Sequence, residues 1–151
     1  MPPYSKSYSV RWSDVDPNGH VRHSSFLDYA TATRMFYLAD HGFTPGDFAA
    51  AQLGPVLTEE HLRYIKEVRN ADTVTVDFTV EGLSPDGAHF IMLNSIYRGD
   101  GKLAVVVTVE GGWLDLAKRK LTRPPDKLRT LMEALPHTDA FHELEGLGHW
   151  P

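Results

Sequence analysis

The chain has 151 residues, of which 42% are hydrophobic and 23% charged, and its formal net charge is −5. This length and composition predict one globular domain with a sizeable core, and the acidic balance argues against a nucleic-acid-binding protein. The absence of cysteine excludes disulfides, thiolate metal sites and a cysteine nucleophile. No apolar run approaches the roughly 18 residues of a membrane helix, and the N-terminal residues lack the apolar core of a signal peptide. We therefore expect a soluble, cytoplasmic protein.

The chain begins with a predicted strand followed by a polar loop. Residues 7–12 alternate, with Tyr8, Val10 and Trp12 on one face, which favours a half-buried strand. The loop that follows, SDVDPNGHVRHSS at residues 13–25, holds a turn sequence at its centre.

A long helix is predicted next, over residues 25–41. Its apolar residues cover most of the circumference, so we expect it to be covered on more than one side. Ser25 and Asp28 have the spacing of a capping box at its start, and Gly42 supplies its stop.

The second half of the chain predicts strands joined by short turns. The extended or alternating segments are residues 56–69, 73–81, 88–98 and 102–116. Within residues 73–81 the alternation predicts that Val74, Val76, Phe78 and Val80 face inward. Connections this short imply antiparallel neighbours. The last segment is continuously apolar at its centre, which indicates burial on both faces.

The C-terminal region predicts a short helix and a tail. Apolar residues recur at helical spacing within residues 126–135, at Leu128, Leu131, Met132 and Leu135. The tail, residues 136–151, is rich in His and Gly, and we expect it to be weakly structured or to dock on a partner subunit.

One apolar helix followed by antiparallel strands predicts an α+β fold in which the sheet curls around the helix and buries it. We assign residues 1–135 to a single domain and residues 136–151 to the tail. Such a sheet exposes two edges, and pairing with a second subunit would cover them. We therefore expect at least a homodimer.

The loop at residues 13–25 permits three interpretations. Its two imidazoles and two carboxylates are potential metal ligands, but Pro17 and Gly19 argue against the helix that would bring the imidazoles together. Its Asp and Ser residues are equally typical of helix caps. Alternatively, a loop carboxylate acts as base or nucleophile, and the helix N-terminus stabilises an oxyanion. The residues alone leave these alternatives open, and the third suits acyl transfer or hydrolysis.

A longer pattern surrounds this loop in RWSDVDPNGHVRHSSFLDYATATRMFY, residues 11–37. An aromatic strand end precedes a D-x-D-x-x-G-x-V segment, a small polar pair and another aromatic residue; these are Trp12, Asp14, Asp16, Gly19, Val21, Ser24, Ser25 and Phe26. The segment resembles the signature of hotdog-fold acyl-CoA thioesterases, in particular the 4-hydroxybenzoyl-CoA thioesterase and YbgC-like group. The similarity extends more loosely over residues 5–130.

The resemblance implies an enzyme that hydrolyses an acyl-CoA thioester to a carboxylic acid and CoA. Asp16 takes the position of the carboxylate that attacks the thioester carbonyl or activates a water. His23 takes the position at the helix start where a backbone N–H polarises the thioester oxygen, and its side chain is also implicated. Ser24 and Ser25 belong to the same oxyanion site at the helix N-terminus.

Supporting roles fall to Gly19 and His20, since His20 matches a variant in which a His follows the Gly, and Asp14 is interpreted as structural. The resemblance implies no metal and no cofactor apart from the CoA of the substrate. The expected partners are an acyl-CoA and further copies of the chain, as a homodimer or homotetramer, without nucleic acid or membrane. A hotdog dehydratase-hydratase and a non-catalytic acyl-CoA binding protein are the alternatives.

Overall fold

A computed structural model describes residues 3–148, which form one seven-stranded sheet accompanied by three α-helices. The strands are β1 (Tyr4–Ser9), β2 (Leu53–Tyr64), β3 (Thr73–Leu83), β4 (His89–Arg98), β5 (Leu103–Asp115), β6 (Lys120–Thr122) and β7 (His137–Glu143). The helices are α1 (His23–Asp40), α2 (Pro45–Ala51) and α3 (Asp126–Glu133), and one 3₁₀ turn spans Trp12–Asp14. Among residues 3–148, no helix is both long and apolar enough to cross a membrane.

The sheet runs in the order β1-β3-β4-β5-β2, with β6 beside β5 and β7 beside β3. Every pairing is antiparallel except that of β7 with β3, which is parallel. The predicted α+β class with an antiparallel sheet is therefore confirmed, with one parallel exception.

The core lies between α1 and one face of the sheet. On β3, the predicted inward positions are each at most 1% exposed: Val74, Val76, Phe78 and Val80. The ring of Tyr37, on α1, packs edge to face against the ring of Phe78, with 5.3 Å between the two ring centroids. Burial of each such apolar side chain contributes about 1.5–3 kcal/mol to the free energy of unfolding. This contact face therefore holds α1 against the sheet.

The start of α1 differs from the prediction. The helix begins at His23, and Ser25 lies inside its first turn, fully buried, with its hydroxyl donating to Asp14 at 3.4 Å. The predicted capping box between Ser25 and Asp28 is therefore wrong, because the Ser25 hydroxyl has a tertiary partner instead.

Burial around α1 is broad but incomplete. Its buried positions are Ser25, Phe26, Tyr29, Ala30, Thr33, Arg34, Tyr37 and Leu38. Phe36, by contrast, is 46% exposed. Within the described residues the helix therefore keeps one open side.

The first strand also ends earlier than predicted. β1 stops at Ser9, and Trp12 lies in the 3₁₀ turn with 80% of its surface exposed, so the prediction that it shares a strand face with Tyr8 and Val10 is wrong. The cause is Asp14, whose carboxylate accepts hydrogen bonds from the backbone and side-chain N–H groups of Arg11. Such local bonds compete with strand pairing and turn the chain.

Helix α2 is an element not predicted from the sequence. Thr44 and Asp47 form a reciprocal capping box at its start, and Pro45 occupies the first helical position, both of which are sequence-readable signals. β2 follows and ends at Tyr64 rather than extending to residue 69. The expected burial of β5 on both faces is wrong within the described residues, since Val106 and Thr108 are only partly covered.

The tail is structured, against the prediction. β7 lies beside the C-terminal half of β3, where the Val80 N–H donates to the Pro136 carbonyl at 2.9 Å and the Leu144 N–H donates to the Leu83 carbonyl at 3.1 Å. The tail thus docks on its own chain. Backbone hydrogen bonds supply this pairing, so the mostly exposed strand needs little of the apolar patterning that predicts strands. Residues 149–151 lie outside the described residues.

Candidate active site

The loop before α1 folds back on itself as a tight turn. The Asp16 N–H donates to the His20 carbonyl at 2.8 Å, and the Gly19 N–H donates to the Asp16 carbonyl at 3.0 Å. Gly19 has φ +80°, a conformation that L side chains rarely adopt. The predicted turn between Asp16 and His20 is confirmed, and it places both side chains at the mouth of the loop.

The turn fixes the Asp16 carboxylate through its own amides. Oδ1 accepts hydrogen bonds from the backbone N–H groups of Asn18 at 2.9 Å and His20 at 3.2 Å. Within residues 3–148, no group donates to Oδ2. One oxygen is therefore held by the loop, and the other remains available to a ligand.

Asp16, His20 and His23 line one groove of about 420 Å³. Its other walls are Val21 and Phe26, together with the segment at the end of β2, Tyr64, Ile65, Lys66, Glu67 and Val68. Tyr64 is 57% exposed there. The structure thus brings together three of the residues singled out from the sequence, while their chemical roles stay predictions.

The remaining predicted residues lie outside this groove. Ser24 is exposed, Ser25 is buried against Asp14, and Gly19 sits exposed at the tip of the turn. Ser25 joins the helix start to the loop through Asp14, and the catalytic roles expected for Gly19, Ser24 and Ser25 stay predictions.

His20 ties the loop to the distant end of β2. Its Nε2 lies 2.9 Å from Oε2 of Glu67, whose Oε1 accepts a hydrogen bond from Arg69 at 2.7 Å. The Arg69 hydrogen bond is the largest cause of a lowered pKa at Glu67. The positions of Glu67 and Tyr64 in the wall of the groove were not predicted, because no local sequence pattern reports which loop a segment more than 40 positions away will meet.

The N-terminus of α1 opens at the same groove. The N-cap residue, Arg22, supplies no side-chain cap. The backbone N–H groups of His23 and Ser24 donate to no other group in the described part of the chain. Unpaired N–H groups and the helix dipole give this end a partial positive charge, which suits a developing oxyanion.

Asp14 occupies a different environment from Asp16. It is 2% exposed and accepts hydrogen bonds from Arg11 at 3.1 Å and from the Tyr29 hydroxyl at 2.8 Å. Burial by itself would raise the pKa of Asp14, but the hydrogen bonds from Arg11 and Tyr29 outweigh it and lower the pKa to about 2. These contacts fix the loop against α1 and support the structural role predicted for Asp14.

No group of three or more His, Asp or Glu side chains suited to a metal ion occurs in residues 3–148. The predictions that the protein needs no metal and no cofactor beyond its substrate stay predictions, as does its cytoplasmic location.

Comparison with known proteins places the chain in a family. The model of the thioesterase-like superfamily matches residues 10–132. The chain therefore belongs to the thioesterase-like superfamily, which confirms the predicted class, a thioester hydrolase of the hotdog type. A comparison with curated protein sequences finds no match.

Solved structures share the fold at low sequence identity. A hypothetical protein from Staphylococcus aureus in complex with CoA is 17% identical, with a TM-score of 0.80, covering 89% of this chain and 87% of that one. A 1,4-dihydroxy-2-naphthoyl-CoA thioesterase from Synechocystis is 15% identical, with a TM-score of 0.78 and coverage of 89% and 98%. A DHNA-CoA thioesterase from Staphylococcus aureus is 20% identical, with a TM-score of 0.74 and coverage of 82% and 81%.

Proposed function

We propose that the chain is an acyl-CoA thioesterase, which hydrolyses an acyl-CoA to a carboxylic acid and CoA at the groove before α1. The observation that carries this proposal is the meeting of Asp16, with one carboxylate oxygen free of protein donors, and the uncapped N-terminus of α1. The CoA complex and the CoA thioesterases among the similar structures support CoA as the acyl carrier.

The chemistry divides between these two features. Asp16 attacks the thioester carbonyl directly or removes a proton from the water that does. Negative charge then develops on the carbonyl oxygen, where the N–H groups of His23 and Ser24 stabilise it. Collapse of the tetrahedral intermediate breaks the C–S bond and expels the CoA thiolate, which is protonated by the His23 side chain, exposed at the groove. After direct attack, water then hydrolyses the acyl–Asp16 anhydride to release the acid and restore the carboxylate. After attack by water, the acid leaves directly and Asp16 returns its proton to solvent.

The test is a thiol-release assay over aromatic, short-chain and long-chain acyl-CoAs. We expect Asp16→Asn to lower kcat/KM by roughly 10²–10⁴-fold, the range for loss of a general base. The matched control is Asp139→Asn, an exposed carboxylate on β7 outside the groove, which keeps wild-type activity. Near-wild-type hydrolysis by Asp16→Asn would refute the proposal.

The same assay separates the alternatives. Water addition to an enoyl-CoA without release of free thiol identifies a dehydratase-hydratase. Binding of acyl-CoA with no thiol release from any substrate identifies a non-catalytic binding protein.

We also propose that the sheet curves around α1 as in the hotdog arrangement and that the chain forms a homodimer or homotetramer. Among the described residues, β2 pairs only with β5, so its 12-residue outer edge is open. Long open edges invite pairing with another chain, and this one ends at the groove with Tyr64. Sedimentation analysis of the full chain tests this, and a monomer at micromolar concentration would contradict it.

A further inference from the structure

A buried cation lies on α1, away from the groove. Arg34 is only 7% exposed, and its guanidinium donates to Oδ1 of Asn94 at 2.7 Å and to the Thr31 hydroxyl at 3.1 Å. Asn94 is itself fully buried and donates to the Asp77 carbonyl at 2.9 Å. These contacts hold the guanidinium in one place inside the fold.

Within the described residues, the guanidinium of Arg34 has more hydrogen-bond donors than acceptors to receive them. A guanidinium has five N–H donors, and only two find acceptors within residues 3–148. No carboxylate of that range forms an ion pair with it; exposed Glu60 acts on it only at longer range. Burial lowers the pKa of Arg34 to about 10, which leaves it charged at neutral pH. A buried charge without a counter-charge is strongly unfavourable.

Arg34 lines a cavity of about 180 Å³ between α1 and the sheet. The other walls are mostly apolar and include Leu38, Leu57, Phe78, Met92 and Trp113, while exposed Thr31 lies at its edge. An apolar cavity of about 150 Å³ accommodates one benzene molecule. This one therefore has room for a single ring or a short alkyl chain.

We propose that this cavity binds a carboxylate carried on a small apolar body, with the free N–H donors of Arg34 holding the carboxylate and the apolar walls holding the body. The forked geometry of a guanidinium matches a carboxylate, and a bound carboxylate supplies the missing counter-charge. The ligand is either a free carboxylic acid or an acyl group with a second carboxylate at its far end. The latter source rests on the proposed thioesterase function.

The first experiment measures binding of free acids to the full-length protein by calorimetry. Benzoate and hexanoate are compared with benzamide and hexanamide, which match them in shape but are uncharged. We expect the acids to bind roughly 10- to 100-fold more tightly than the amides, the range for charge-assisted hydrogen bonds.

Arg34→Met removes the charge and keeps an apolar side chain in the cavity wall. We expect it to abolish the preference for acids while the amides bind as before, which also shows that the variant is folded. Arg34→Lys keeps the charge but not the fork, so it retains an intermediate preference. The control is Arg119→Gln, at an exposed turn position, which binds as the wild type does.

The second experiment tells whether the bound carboxylate belongs to a free acid or to the acyl group of the substrate. Thiol release is compared for acyl-CoAs that end in a carboxylate and for alkyl acyl-CoAs of the same length. A wild-type preference for the carboxylate-ended substrates that Arg34→Met removes identifies the acyl group as the ligand. Arg34-dependent binding of acids without that preference identifies a free acid.

The outcomes of the two experiments are independent. Acid binding through Arg34 in a protein that hydrolyses no acyl-CoA refutes the proposed function and leaves this site standing. The inference is overturned by two results together. In the binding experiment, the wild type binds acids and amides equally, or its preference for acids is unchanged in Arg34→Met. In the thiol-release experiment, Arg34→Met leaves the substrate preference unchanged.

Discussion

Replacing Asp14 by Asn separates the structural carboxylate of the loop from the proposed catalytic one. Asp14 is buried between Arg11 and Tyr29, and its pKa is lowered to about 2 from an ordinary value of 3.8. Because one pKa unit corresponds to about 1.4 kcal/mol, the ionised form contributes about 2 kcal/mol to the free energy of unfolding at pH 7. Asp14→Asn removes this charge without changing the size of the side chain.

The contribution has a defined pH dependence. The folded-state pKa lies below the unfolded one, so the stabilisation is complete above about pH 4 to 5 and is lost as the pH falls towards 2. We therefore expect wild type and Asp14→Asn to differ by about 2 kcal/mol at pH 7, or about 4–8 °C in Tm for a chain of this size. The difference shrinks below pH 4.

Urea unfolding followed by circular dichroism at pH 7, 5, 4 and 3 measures this difference. Asp16→Asn is the matched control, since Oδ1 accepts only local loop amides; we expect it to lose activity with a stability change within about 0.5 kcal/mol. A stability difference for Asp14→Asn that is absent at pH 7, or that persists unchanged at pH 3, would refute the assignment of the charge contribution.

Two further predictions concern the sheet. Gly111→Ala should destabilise the protein by about 3 kcal/mol or more in thermal unfolding. A Cβ at this position would lie 2.1 Å from the Val56 carbonyl oxygen, a backbone atom with little freedom to move. Gly101→Ala is the comparison, because its Cβ would meet nothing within 4 Å and the substitution adds only the strain of a positive φ. Deleting residues 137–151 should lower the free energy of unfolding by about 2–4 kcal/mol through loss of the β7 pairing and the packing of Phe141 on the core. The shortened chain should keep wild-type kcat/KM at temperatures well below its Tm, and a loss of activity there would mean that the tail takes part in the site.

The local part of the site could be predicted in two ways. Turn chemistry predicted the turn between Asp16 and His20, because a turn depends on residues that are close in sequence. The family resemblance, and not the residues alone, singled out Asp16, His20 and His23, which the structure brings to one groove. The alternation of β3 likewise predicted its buried face correctly, because the two-residue period of a strand depends only on local geometry.

The far wall of the groove could not be predicted in this way. Glu67 meets His20 because the segment after β2 pairs with the loop itself: the Val21 N–H donates to the Val68 carbonyl at 2.7 Å, and His20 forms an antiparallel bridge with Arg69. Which segments meet when they lie far apart in the chain depends on the folded core as a whole, and the local periodicity of either segment does not report its partner. The strand in the tail could not be predicted either, because β7 is held by backbone hydrogen bonds to β3 more than by apolar side chains.

The amino-acid sequence by itself determined the class of fold, the family and the loop that holds Asp16. Only the tertiary structure decided which of two neighbouring carboxylates is buried and which faces the groove. It also showed that Arg34 lies inside the fold, although its place on a helix predicts neither burial nor exposure. Burial and hydrogen-bond partners are properties of the packed molecule, and they distinguish residues of the same type that their local sequence leaves alike.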